Sequence, residues 1–138
     1  MFTEIMVPVD LRHAEKLAKT LTIAADLAQK YGARITYVGV TANVPSSIAR
    51  NPEDYHEKLV QFAASQAAMH RLETRAHMIV ADDPAVDLNH KLSQAVQELR
   101  ADLVVMASHL PNVGDYVWSS HGGLLASHSK ASVFLVRA

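Results

Sequence analysis

Apolar residues recur along this chain in two alternating rhythms. Short unbroken runs at 5–9 (IMVPV), 35–40 (ITYVGV), 76–80, 103–107 and 133–136 are largely β-branched. Such runs read as strands buried on both faces. Between them, apolar side chains return every three or four positions, which is the signature of a helix with one buried face. Ala14, Leu17, Ala18, Leu21, Ala24, Ala25 and Ala28 form the first stripe, and Gly32 stops it after Tyr31. Asn51-Pro52-Glu53-Asp54 opens the second helix, with a capping side chain, proline at the first helical position and acids in the positive first turn. That helix is expected to run to about Glu73, with Tyr55, Leu59, Phe62, Ala63 and Met69 facing inward. Asp83-Pro84 repeats the cap-then-proline start, and Leu88, Leu92, Ala95, Val96 and Leu99 line the third helix up to about Arg100. Ser119-Ser120 opens a last helix over 122–128. The longest irregular stretch is 41–51, marked by Pro45 and the Ser46-Ser47 pair.

Strands alternating with helices imply an α/β fold whose crossovers are right-handed. The expectation is a Rossmann-like, five-stranded, mainly parallel, doubly wound sheet in the order 3-2-1-4-5, with helices on both faces. No linker or low-complexity tract divides residues 1–138, so one domain is expected.

Composition narrows the function classes. With 49% hydrophobic residues but only 6% aromatic, the core is mostly aliphatic. Thirteen basic against fourteen acidic side chains leave a formal charge of −1, which argues against a nucleic-acid surface. Cysteine is absent, so thiolate chemistry and disulfides are excluded. The opening MFTEIMVPVD has neither the basic region nor the long apolar region of a signal peptide. No segment reaches the ~18–20 apolar residues of a membrane span. A soluble, cytoplasmic domain that does not insert into membranes is expected.

In a doubly wound sheet, ligands bind beyond the carboxyl ends of the strands, where strand order reverses. This nominates Pro8, Val9 and Asp10 after the first strand, Ala107, Ser108 and His109 after the fourth, and Gly39-Val40 at the end of the second. Asp10 has two readings, as a helix cap and as an acceptor for a ribose or base edge. Ser119 and Ser120 can cap a helix or hold a phosphate at its N-terminus. Gly122 and Gly123 suit a close backbone approach or a loose loop equally well. No GxxxxGK[ST], GxGxxG or GxSxG is present, which removes the common phosphate loops and the nucleophile elbow. Ser108 and His109 are sequence neighbours and point apart on extended chain, against a Ser/His hydrolase. His109, His121 and His128 have no metal-site motif and read as scattered histidines. Tyr116 and Trp118 have two readings, as side chains that pack on a partner or a base and as ordinary packing residues.

These segments together resemble the universal stress proteins over nearly the whole chain. The resemblance is carried by IMVPVD, ITYVGV, Asp83-Pro84-Ala85, ADLVVMASH and SHSKASVFLVR. Many members of that family bind ATP through a G-x-x-G, about nine residues, G-[ST] pattern. Here Ala107 and Leu110 stand at the first two glycines, Ser119-Ser120 at the Gly-Ser, and His121 at a small or apolar position. ASHLPNVGDY…SS also resembles a branch of the family that binds nucleotide without the first glycine. The resemblance implies an adenosine side formed by Pro8, Val9, Asp10, Val40 and Met106. It implies a phosphate side formed by Ser108, His109, Ser119, Ser120 and His121, next to Ala107. The implied ligand is ATP, or AMP or ADP, with Mg²⁺ accompanying the nucleotide. It further implies homodimers paired through the C-terminal strand, residues 132–137, which is short, apolar and terminal and so offers an unpaired edge. Apart from Asp10 no general base or carboxylate pair for Mg²⁺ is evident, so binding, sensing or regulation is expected rather than turnover. The alternatives are a dimeric interaction module that has lost its pocket and a small hydrolase acting on nucleotides.

Overall fold

The computed structural model describes residues 1–82, 84–108, 125–127 and 129–137. Five parallel strands form one sheet: β1 (Glu4–Val9), β2 (Arg34–Thr41), β3 (Thr74–Val80), β4 (Leu103–Ala107) and β5 (Ser132–Val136), in the order β3-β2-β1-β4-β5. Three α-helices connect them: α1 (Ala18–Tyr31), α2 (Pro52–His70) and α3 (Pro84–Leu99). Residues 125–127 are helical as well. The fold class and strand order are those expected from the sequence. No helix among the described residues is long and apolar enough to cross a membrane.

Register sorts the strand residues into two faces. Tyr37 meets Phe62 of α2 edge-to-face, with ring centroids 5.2 Å apart, so Tyr37 and Gly39 look toward α2. Gln29 of α1 donates to the His70 carbonyl at the end of α2, which places α1 on that same side. On the opposite face, His77 approaches Glu98 of α3. Ile5, Met6, Val7, Ile35, Val38, Val104, Leu88 and Leu92 are all fully buried between these layers.

Two ionic clamps fasten the amino ends of the central strands. The buried Glu4 carboxylate accepts from Arg34 and Thr36 on β2 and from Arg75 on β3. The Asp102 carboxylate accepts the backbone N–H groups of Thr3 and Glu4.

Three local expectations are corrected. The first helix does not begin at Ala14: Leu11–Leu17 is a 3-10 segment broken at His13 (φ −133°), and the α-helix starts at Ala18. The cause lies at Asp10, whose carbonyl takes the His13 N–H and whose carboxylate takes the Arg12 N–H. That tight turn sets an i to i+3 pattern, and it leaves Ala18 on the exposed side. Helix α2 ends at His70, short of Glu73, because Arg71 turns left-handed (φ 55°) with its N–H on the Ala67 carbonyl. Met69 is 69% exposed, and Gln66 occupies the inward position before it.

Candidate functional site

The chain adds strands on one side of β1 and then, from β4, on the other, so the switch point lies beyond the carboxyl ends of β1 and β4. Their ladder is short. It pairs Ile5 with Leu103 and Met6 with Val104 and goes no further, whereas β1 pairs with β2 along all six of its residues. Pro8 explains the difference. The Thr3 carbonyl accepts from Arg34 of β2, and the Glu4 carbonyl accepts from Asp102 beside β4. Along a strand these directions alternate, so residues 4, 6 and 8 face β4. The next bond would run from the N–H of residue 8 to the Val105 carbonyl, and proline has no N–H. The missing donor therefore falls on the strand pair that borders the switch point.

Asp10 follows β1 directly and is 7% exposed. It caps the 3-10 segment in extended conformation (φ −110°, ψ 105°). Its Oδ1 accepts from the Arg12 N–H at 3.0 Å and from Arg12 Nε at 3.2 Å, while Oδ2 accepts from Arg12 Nη2 at 3.3 Å. Cap and ion pair thus coexist on one carboxylate. Tyr55, near the start of α2, completes the cluster. A Cβ built on Gly39 would lie 2.5 Å from the Tyr55 hydroxyl oxygen, so the phenol sits directly against the backbone at the end of β2. Burial raises the Tyr55 phenol well above its ordinary value; the Asp10 charge raises it further and Arg12 opposes that. Asp10, Arg12 and Tyr55 therefore form one electrostatic neighbourhood.

The candidate residues divide by register. Pro8 and Met106 lie in one row on the α3 face, with Val40 one pleat beyond Val38, the partner of Pro8. Val9 and Ala107 take the opposite face. Pro8, Val9 and Met106 are buried, whereas Val40, Ala107 and Ser108 are half-buried. Ser108 donates its N–H to the Val136 carbonyl, so its backbone is committed to β5. His109, Ser119, Ser120 and His121 lie outside the described residues, as do Asp83, Leu110, Tyr116, Trp118, Gly122, Gly123 and His128. Sequence reasoning did not single out Arg12 or Tyr55. The acid-x-base spacing of Asp10 and Arg12 was the available signal for the first. Tyr55 was legible only as a core position.

Two grooves among the described residues lie at the other end of the sheet. One of about 480 Å³, lined in part by Arg100, Ser129 and Lys130, and one of about 360 Å³, lined in part by Arg34 and Arg71, lie at the amino ends of the strands. Ligands of doubly wound sheets bind at the other end. Among the described residues no group of three His, Asp or Glu side chains is placed to hold a metal ion.

A sequence model of the Universal stress protein family matches residues 1–137. The fold is similar to that of a protein of this family from Burkholderia pseudomallei, with a TM-score of 0.70 and 18% identity over 99% of this chain and 97% of that one. It is also similar to a universal stress protein from Archaeoglobus fulgidus in complex with dAMP, with a TM-score of 0.64 and 19% identity over 97% of each chain. A third similar structure is a universal stress protein family protein from Arabidopsis thaliana with AMP bound. Its TM-score is 0.63, with 15% identity over 98% of this chain and 91% of that one.

Proposed function

Because the chain belongs to the universal stress protein family, we propose that it binds an adenine nucleotide beyond the carboxyl ends of β1 and β4. The ligand in this reading is ATP or a related AMP or ADP, held for sensing or regulation and not turned over. The observation that carries the proposal is the early end of the β1–β4 ladder at Met6 and Val104, next to a buried carboxylate at Asp10. Two structural relatives contain dAMP and AMP, which supports the choice of ligand class. Pro8, Val9, Asp10, Val40 and Met106 would contact adenosine. Ser108, His109, Ser119, Ser120 and His121 would face the phosphates, with Ala107 beside them. Mg²⁺ would arrive with the nucleotide.

We further propose a cytoplasmic homodimer paired through residues 132–137. Phe134 and Leu135 support it, being 42% and 39% exposed on the edge strand β5. A second reading has one specific observation in its favour. The Asp10 carboxylate is already engaged by Arg12, as expected of an interaction module that no longer takes nucleotide.

One experiment separates the two readings. The purified protein is denatured and assayed for released ATP, ADP and AMP, and nucleotide-free protein is then titrated calorimetrically with each. Released nucleotide or saturable heat supports the first reading. Neither release nor heat up to millimolar ligand leaves the second.

A further inference from the structure

We infer that the Tyr55 hydroxyl reads the base, by donating a hydrogen bond to one of the ring nitrogens of adenine; this rests on the nucleotide reading above. The adenosine contacts proposed there are chemically one-sided. Pro8, Val9, Val40 and Met106 carry no side-chain donor, and an ionised Asp10 only accepts. A ribose hydroxyl can be satisfied by such a surface, because it can donate to a carboxylate. The free ring nitrogens of adenine have lone pairs and no proton. They need a donor, and these five side chains do not supply one.

Tyr55 stands where that donor is missing. Its side chain comes from the start of α2 and lies against Gly39, near the end of β2. Gly39 is paired with Val9, the last residue of β1, and Asp10 follows. Of all the Tyr55 atoms, Oη comes nearest to the place a Cβ on Gly39 would take. The polar end of the phenol is therefore the part brought to the strand ends. A tyrosine that is 4% exposed ordinarily has a partner for its hydroxyl. Among the described residues Tyr55 Oη has none, and Asp10 acts on it through charge without a hydrogen bond. Tyr37 Oη, which belongs to the same face of the sheet, is also unpartnered but is sealed from solvent, whereas Tyr55 Oη is not sealed. Tyr55 thus holds an unused donor that opens beside the carboxyl ends of β1 and β2. Burial, and after it the Asp10 charge, hold this phenol well above its ordinary value. It keeps its proton throughout the neutral range and acts as a donor there.

The test is calorimetric titration of the nucleotide-free full chain, as wild type and as Tyr55→Phe. The ligands are AMP and its 1-deaza, 3-deaza and 7-deaza analogues, each of which has one ring nitrogen replaced by C–H. Phenylalanine keeps the ring against Gly39 and removes only the hydroxyl. Tyr55→Phe is expected to weaken AMP by about fivefold, the scale of one neutral hydrogen bond. One of the three analogues should bind the wild type about fivefold more weakly than AMP does and be indifferent to Tyr55→Phe. The other two should keep the full loss. A merely structural role for the hydroxyl would weaken all four ligands alike, so that result overturns the assignment, as does an unchanged affinity for AMP. The 2′-deoxy and 3′-deoxy forms of AMP are titrated alongside. If the effect of Tyr55→Phe vanishes with one of these instead, the hydroxyl serves the ribose and the assignment to the base is overturned. No heat from the wild type with AMP would mean that the nucleotide reading has failed and the assignment with it. Wild-type heat that Tyr55→Phe leaves untouched would overturn the assignment alone.

Discussion

Replacing Gly39 by alanine should destabilise the protein through a single identifiable collision. The new Cβ would stand 2.5 Å from the Tyr55 hydroxyl oxygen, 2.8 Å from Cε1 and 3.1 Å from Cζ. Real Cβ atoms essentially never come within 3.0 Å of a neighbour, so the ring or the strand must shift. Neither yields easily. Tyr55 is 4% exposed, and it lies one turn into a helix whose start is fixed by Pro52 and by the Asn51 side chain accepting the Asp54 N–H at 2.8 Å. Gly39 is hydrogen-bonded within β2 between two other strands. Overpacking of this kind costs about 1–3 kcal/mol. Alanine recovers roughly 0.5–1 kcal/mol relative to glycine in a strand, through reduced unfolded-state entropy. The net expectation is a loss of about 0–2.5 kcal/mol, centred on about 1 kcal/mol, read as a lower urea midpoint at unchanged slope. Tyr55→Phe should rescue little, because the Cε1 contact remains. Tyr55→Leu removes the ring, so Gly39→Ala in that background should cost less than in the wild type. A coupling of about 1 kcal/mol is expected between the two changes. Gly39→Ala more stable than the wild type, or strict additivity with Tyr55→Leu, would refute the reasoning.

Tyr37→Phe should match or exceed wild-type stability by up to about 1 kcal/mol, because the Tyr37 hydroxyl is fully buried and has no partner among the described residues. Burial pushes that phenol from 10.0 up to about 12. Its raised folded value means that its share of stability is present below pH 10 and lost as pH rises toward 12; unfolding of the wild type and Tyr37→Phe across that window checks the difference, and identical alkaline limbs would count against it. Pro8→Val restores a donor facing β4, so the amide of residue 8 should become protected from hydrogen exchange and nucleotide affinity should fall. An amide exchanging at the rate of an open loop would show that the ladder ends for another reason. Asp54 accepts the Arg50 N–H and lies near Lys58 and Arg50, which hold its carboxyl below the ordinary range. Its contribution is present above about pH 4 and lost on further acidification. Asp54→Asn should therefore flatten the acid limb of the melting temperature, and a parallel displacement of the whole curve would contradict this.

The fold was legible because each element announces itself locally. Strands covered on both faces read as unbroken apolar runs, and Gly32 and Asn51-Pro52 mark helix ends by chemistry that needs no distant partner. The errors fall where a contact overrides the period. Ala14 and Ala18 fit a helical stripe, yet the turn built on Asp10 delays the α-helix to Ala18. Met69 fits the inner face of α2, but the left-handed turn at Arg71 ends the helix beside it.

The site was legible to a different depth at each residue. Asp10 was readable as cap or acceptor because both roles follow from its position after a strand. Its engagement with Arg12 was signalled only by the acid-x-base spacing, which brings the two side chains near each other without fixing the route of the arginine. The pattern marked Tyr55 as buried, but periodicity says only that a residue is inside, never which backbone it touches. Pro8 joins the two levels. Near the end of a strand a proline looks harmless, because a terminal N–H has least to lose. Once the sheet order places β4 on the side that residue 8 faces, the same missing N–H becomes a break between the central strands. A local rule thus acquires its consequence from topology: what reads as tolerance in the sequence ends, in the fold, the ladder between β1 and β4.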